Sequence, residues 1–161
     1  MLGTDPKLRE AREFFRTGQY EQAIYKYQEL LDKYPEDPDL LNNMGDVYRA
    51  IKLFSDAMTF YERAVDAYSK DTLYNNAIAL CKKILRIDSD KAEIYNKLGD
   101  LYMELGLSAE AKVEKDSLLV LVNDEILNST HIGLQLKLYK NFAATLAKRL
   151  RKAIDRELKN K

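Results

Sequence analysis

The stretch Asn42 to Ala57, NNMGDVYRAIKLFSDA, returns as Asn96 to Ala111, NKLGDLYMELGLSAEA. The copies share Asn42/Asn96, Gly45/Gly99, Asp46/Asp100, Tyr48/Tyr102, Leu53/Leu107 and Ala57/Ala111. A chain that repeats itself this densely stacks copies of one supersecondary unit, and each copy buries its apolar face on a neighbour. Gly45 and Gly99 stand inside an otherwise helical pattern, where glycine costs about 1 kcal/mol against alanine. A close approach of two helices would require them. Tyr48 and Tyr102 follow on the same helical face, and Ala57 and Ala111 set a second small residue on the next helix. The pattern predicts a helix, a tight turn and an antiparallel helix crossing at the small residues.

At these positions the sequence resembles the tetratricopeptide repeat family, whose unit is a 34-residue helix-turn-helix. Ala11, Phe14, Gly18, Tyr20, Ala23, Tyr27, Leu30 and Pro35 extend the resemblance towards the N-terminus. Ala23 and Ala57 are 34 residues apart, as are Ala77 and Ala111, but Ala57 and Ala77 are only 20 apart. The helix from Phe54 to Tyr68 must then serve twice, as second helix of one unit and first helix of the next, with Tyr61, Ala64, Val65, Tyr68 and Tyr74 at signature positions. The resemblance spans about Leu8 to Ala111. It implies an all-α fold, a superhelical solenoid of antiparallel helix pairs. Helices are expected from Pro6 to about Arg16 and over Tyr20–Tyr34, Asp39–Ile51, Phe54–Ser69, Thr72–Ile87 and Lys91–Leu105, with caps at Thr4 or Asp5 and at Asp37 and a left-handed Gly18.

After Ala111 the repeat pattern fails, because Lys115 stands where the family has a large apolar residue. Three regions are expected: a repeat array over residues 1–111, an irregular or strand-like connector over 112–123, and a long basic amphipathic helix over 124–161. The partial alternation and aliphatic run of AKVEKDSLLVLVNDEIL suggest a short strand or extended segment at 112–122. Beyond it Leu138, Phe142, Leu146, Leu150, Ile154 and Leu158 recur every four residues. The tail from Ser108 to Lys152 also resembles the end of cyclic-nucleotide-binding domains of the catabolite-activator type. Ser108 and Ala109 match part of the phosphate cassette, DSLLVLVNDEIL the last strand and exit, and Leu146, Ala147, Arg149, Leu150 and Arg151 the final helix. That resemblance implies, as the alternative function, a regulatory module derived from such a sensor. Leu107 replaces the phosphate-binding arginine, and the glycine-rich strands are missing upstream, so nucleotide binding is not expected.

In the repeat family, partners lie along the concave face lined by the first helix of each unit. Carried over by position, that face comprises Leu8, Arg12, Phe15 and Arg16, then Asp39, Asn42, Asn43, Asp46 and Arg49, then Glu93, Asn96, Lys97, Asp100 and Met103. The partner implied is a peptide or helix of another protein, and asparagines suit main-chain recognition because they both donate and accept. Arg12 and Asn43 match the clamp by which chaperone-binding members hold a C-terminal peptide, but the clamp lysines are absent and that ligand is not expected.

Charge divides the chain. From Lys137 onward nine cations face two carboxylates, a net +7, which leaves −7 on the remainder because the total is zero. The tail helix, through Leu138, Phe142, Leu146, Leu150 and Ile154, is expected to cap the array or to pair with a second copy as a homodimer. Nucleic acid is disfavoured: aromatic interleaving stops at Tyr139 and Phe142, and no recognition motif is present. Catalysis has little to draw on. His131 and Cys81 are single residues of their kind, no convergent nucleophile, base or metal-ligand set is visible, and no cofactor or metal is expected. A single cysteine fits a reducing compartment, MLGTDPKLRE shows no secretory pattern, and the aliphatic run Leu118 to Val122 is far below the ~20 residues that span a bilayer. A cytoplasmic, non-enzymatic protein with no membrane partner is expected.

Overall fold

Four helix ends of this chain close in the same way. Gly18, Lys52, Thr72 and Gly106 take positive φ, at 77°, 64°, 58° and 74°. Each donates its N–H to a carbonyl three residues back, on Phe15, Arg49, Ser69 and Met103. The next residue, Gln19, Leu53, Leu73 or Leu107, donates to a carbonyl five back, on Phe14, Tyr48, Tyr68 or Tyr102. This double closure ends a helix and reverses the chain within three residues. The left-handed residues are spaced by 34, 20 and 34, the intervals of the signature alanines.

The computed structural model describes residues 5–128, with side chains to 124. Its helices are α1 (Pro6–Arg16), α2 (Tyr20–Leu31), α3 (Pro38–Ala50), α4 (Phe54–Lys70), α5 (Tyr74–Leu85), α6 (Ala92–Glu104) and α7 (Ser108–Asn128). The four tight turns make hairpins of α1–α2, α3–α4, α4–α5 and α6–α7, so α4 belongs to two hairpins, as the 20-residue interval predicts. Asp5 and Asp37 cap α1 and α3, their side chains accepting from the Lys7 and Leu40 amides at 2.8 and 2.9 Å. The remaining described helices to α6 begin without a side-chain cap, three of them on the residue that closes the preceding turn.

Both glycines lie where a neighbouring helix comes close. A Cβ on Gly45 would stand 2.6 Å from two ring carbons of Tyr61 and 3.2 Å from the Ala57 carbonyl oxygen. A Cβ on Gly99 would stand 2.9 and 3.0 Å from the Lys115 stem and 3.4 Å from the Ala111 carbonyl oxygen. Ala11, Ala23, Ala57, Ala64 and Ala77 are fully buried beside Tyr27, Tyr61, Leu40, Leu41 and Met44.

The expected strand or irregular connector over 112–123 is overturned: these residues lie within α7, and no strand occurs among the described residues. The chain has no glycine or proline from Leu107 to Ile132, and Glu110, Lys112, Glu114 and Lys115 are good helix formers. Burial of Ala111 on α6 sets the helical register, and Ser117 Oγ donates to the Val113 carbonyl one turn back at 3.0 Å. Only Val120 and Val122 of the aliphatic run are β-branched, too few to override these. The cyclic-nucleotide resemblance loses the strand it needed here. The expected tail-helix contacts Leu138, Phe142, Leu146, Leu150 and Ile154 lie outside the described residues. The described chain forms two units, dividing after Leu118, and the repeat array belongs to the first. No described helix is long and apolar enough to cross a membrane.

Candidate partner-binding surface

One face of α3 buries Leu40, Leu41, Met44 and Val47. The other carries Asp39, Asn42, Asp46 and Arg49 at helical spacing, so their side chains form a single row. That row is tied down by residues the sequence pattern did not single out for it. Tyr68 of α4 donates its hydroxyl to Asp39. Tyr61, one helical face with Tyr68, donates to Asp46 Oδ1 at 2.6 Å and accepts from Arg49 Nε at 3.3 Å. From α5, Lys83 Nζ donates to Asp46 Oδ1 at 2.8 Å and Asn42 Oδ1 at 2.9 Å, standing 4.8 Å from the Tyr61 ring centroid. Two neighbouring helices thus hold one carboxylate of α3.

Burial raises the Tyr61 and Tyr68 phenols above their ordinary value, and the hydrogen bonds to Asp46 and Asp39 raise them further. Tyr27 of α2 is pushed up to about 12, chiefly by burial, with Arg12 opposing the shift and Asp46 adding to it.

The other expected contact residues behave differently. Phe15 is half-buried, its ring tilted 54° against Tyr20 at 6.1 Å, and it packs on the core. Arg16 is held by Glu13 at 2.6 Å, Arg12 is exposed, and Asn43 is half-buried. On α6, Lys97 pairs with Asp66 and the neighbouring Lys91 with Glu62, both on α4, while Asp100 pairs with Lys115 at 3.2 Å. Glu93, Asn96 and Met103 are exposed. At about 100° per residue, Glu62 and Asp66 lie roughly a third of a turn around α4 from Tyr61 and Tyr68. The α3 group and the α6 group therefore flank α4 on different sides and do not form one row. Sharing α4 between two hairpins shifts the helix order by one, so that α5 stands beside α3 where the first helix of a following unit was expected. The signal for Lys83 was present only in that 20-residue interval.

Chemistry is scarce. Burial pushes the Cys81 thiol up to about 12, which keeps it protonated and unreactive near neutral pH. Among the described residues no group of three or more His, Cys, Asp or Glu could hold a metal ion. His131 lies outside them.

Family models of known repeats agree with this architecture. Family models of the tetratricopeptide repeat match residues 8–72 and 92–113. The BBSome complex member BBS4 of Bos taurus is 26% identical over 114 residues, covering 63% of this chain and 22% of its own. The chain thus spans about a fifth of that relative's length. Among solved structures, MamA is 21% identical with a TM-score of 0.38, covering 89% of this chain and 96% of its own. The first TPR of Spaghetti (RPAP3), bound to the HSP90 peptide SRMEEVD, is 19% identical with a TM-score of 0.34, covering 86% and 89%. With the repeat recognised twice, over more than half of the 161 residues, and its glycine crossings and hairpin turns in place, the chain belongs to the tetratricopeptide repeat family.

Proposed function

We propose that this chain is a non-catalytic scaffold that binds a peptide or helix of another protein on its exposed helix faces. One observation carries the proposal. The α3 row of Asp39, Asn42, Asp46 and Arg49 is held in place by Tyr61, Tyr68 and Lys83 while Asp39 and Arg49 remain exposed. Polar groups fixed before binding lose little freedom when a partner arrives, and this favours recognition over chemistry. Arg12, Phe15, Arg16 and Asn43 extend that surface, and Glu93, Asn96, Lys97, Asp100 and Met103 form a second one on α6. The basic tail, through Leu138, Phe142, Leu146, Leu150 and Ile154, caps the array or pairs two copies. Likeness in sequence to a protein that is a member of a complex favours the same class of role.

Selection of displayed peptides on the full chain tests the first surface. Peptides are expected to be enriched, and Arg49→Glu to weaken the best of them about tenfold, the effect expected for losing a charged contact. A chain that enriches no sequence is not a peptide scaffold. Light scattering on the full chain and on Leu146→Asp/Leu150→Asp tests the tail: a mass that halves identifies a dimer helix, and an unchanged monomer mass excludes one.

A further inference from the structure

Between α3, the turn after it and the end of α5 lies a cavity of about 490 Å3. Four cations, Arg49, Lys52, Lys83 and Arg86, line it above Phe54 and Ile87, and no carboxylate does. Asp46 engages Lys83 and lies 3.8 Å from Arg49, whereas no ion pair among the described residues engages Lys52 or Arg86. Lys52 and Arg86 each follow a helix C-terminus, where a cation is favoured in its own right. That accounts for each one singly and not for their convergence with two further cations on one hollow. Gathering like charges is unfavourable unless an anion joins them.

A second cavity, of about 210 Å3, shares Lys83 and is lined by the amides of Asn42, Asn75 and Asn76. The two follow α5 from Asn75 to Arg86, a rise of about 16 Å at ~1.5 Å per residue. An extended chain covers that distance in about five residues. The amides can donate to and accept from a main chain lying along the groove.

We propose that this groove takes an extended acidic segment of a partner protein, about five residues long. Two or more Asp or Glu side chains enter the cationic cavity beside an apolar side chain on Phe54 and Ile87, and the main chain runs over Asn42, Asn75 and Asn76. The proposal rests on the scaffold function above and specifies its ligand. A short acidic peptide fits better than nucleic acid, because residues 1–136 carry a net −7 and repel a long polyanion beyond the reach of one local hollow.

The test is an array of N-acetylated, C-amidated heptapeptides, with hits titrated against the full chain by fluorescence anisotropy at low and physiological salt. Bound sequences should be enriched in adjacent Asp or Glu next to an apolar residue, and should weaken as salt rises. Lys52→Glu/Arg86→Glu, both exposed, should weaken them at least about tenfold, while Lys33→Glu/Lys112→Glu, an equal change of charge elsewhere, should leave them within about twofold. Circular dichroism checks that both variants stay folded. Peptides bound without acidic preference, or indifferent to the Lys52/Arg86 reversal, overturn the acidic groove and leave the scaffold standing. A single-stranded oligonucleotide that binds in place of peptide, and is lost in that variant, overturns it in favour of nucleic acid. If no peptide binds at all, the scaffold function fails as well.

Discussion

The same helix crossing occurs twice, around Gly45 and around Gly99, and the two differ in one residue's chemistry. In both, a glycine faces the carbonyl of an alanine twelve residues on, Ala57 or Ala111, and a side chain sixteen residues on lies across the glycine. At the first crossing that side chain is Tyr61, fully buried, its hydroxyl 2.6 Å from Asp46. At the second it is Lys115, its stem over Gly99 and its ammonium 3.2 Å from Asp100. Lysine reproduces what the position asks for, an apolar stem with a polar tip that reaches the recurring aspartate. What it lacks is rigidity and dryness: the side chains of Lys115 and Asp100 are 48% and 62% exposed. The recurring carboxylate is thus a receptor for its own repeat's second helix before it is anything for a partner. The tyrosine crossing should be stiff and the lysine crossing yielding.

Truncating the two covering side chains should separate the crossings most. Tyr61→Ala removes a buried ring and leaves Asp46 with one partner fewer, a loss of about 3–5 kcal/mol. Lys115→Ala removes an exposed ion pair, worth about 1 kcal/mol or less. Urea unfolding followed by circular dichroism measures both, and equal losses would break the comparison.

Alkaline pH should weaken the chain through its buried phenols. Tyr27, Tyr61 and Tyr68 all have phenols raised in the folded chain. A group whose folded value lies above its unfolded one contributes stability that is complete below the unfolded value and lost as pH rises through the folded one. For Tyr27 that window runs from 10.0 to about 12. Two units at about 1.4 kcal/mol each give a loss of roughly 3 kcal/mol from this phenol alone. Denaturant midpoints that stay flat through this window would contradict the burial of these phenols.

The glycines sharpen the contrast further. An alanine at Gly45 pushes its methyl into a ring that has nowhere to go, at about 1–3 kcal/mol, partly offset by about 1 kcal/mol of helix propensity. At Gly99 the obstacle is a flexible stem that can swing into solvent, so Gly99→Ala should be neutral or slightly stabilising. The pair Gly99→Ala/Lys115→Tyr should then lose more than its two single changes combined, because the ring restores the obstacle. Additivity in that cycle would show that the neighbouring backbone, and not the covering side chain, sets the tolerance.

Much of this was legible because it follows from spacing. The 34-20-34 intervals of alanine place the hairpins and the doubly used α4, and Gly45 and Gly99 announce their crossings. The contact surface was harder to read. Lys83 reaches Asp46 across 37 residues, a juxtaposition that follows from α5 standing next to α3 and that no local pattern encodes. The helix through 112–122 was hidden because leucine and valine in a short run suit a strand as well as a helix, and what decided it was the register imposed by Ala111 on Gly99. Lys115 was read as the end of the repeat when it is a substitution the repeat accommodates.

The turns carry a smaller form of the same contrast between what a position requires and what occupies it. Gly18 and Gly106 take the left-handed conformation freely, while Lys52 and Thr72 take it at the same point of the same closure. For a residue with a Cβ that conformation costs about 1–2 kcal/mol, and a β-branched threonine suits it least. Thr72→Gly should therefore stabilise the chain by up to about 1 kcal/mol, the relief of strain being offset in part by glycine's greater freedom when unfolded. Lys52→Gly should gain less, since lysine is unbranched at Cβ and favours the C-terminal end of α3 by its charge. Thermal unfolding orders the two. A loss at Thr72→Gly would mean that the threonine side chain contributes more there than its backbone strain removes.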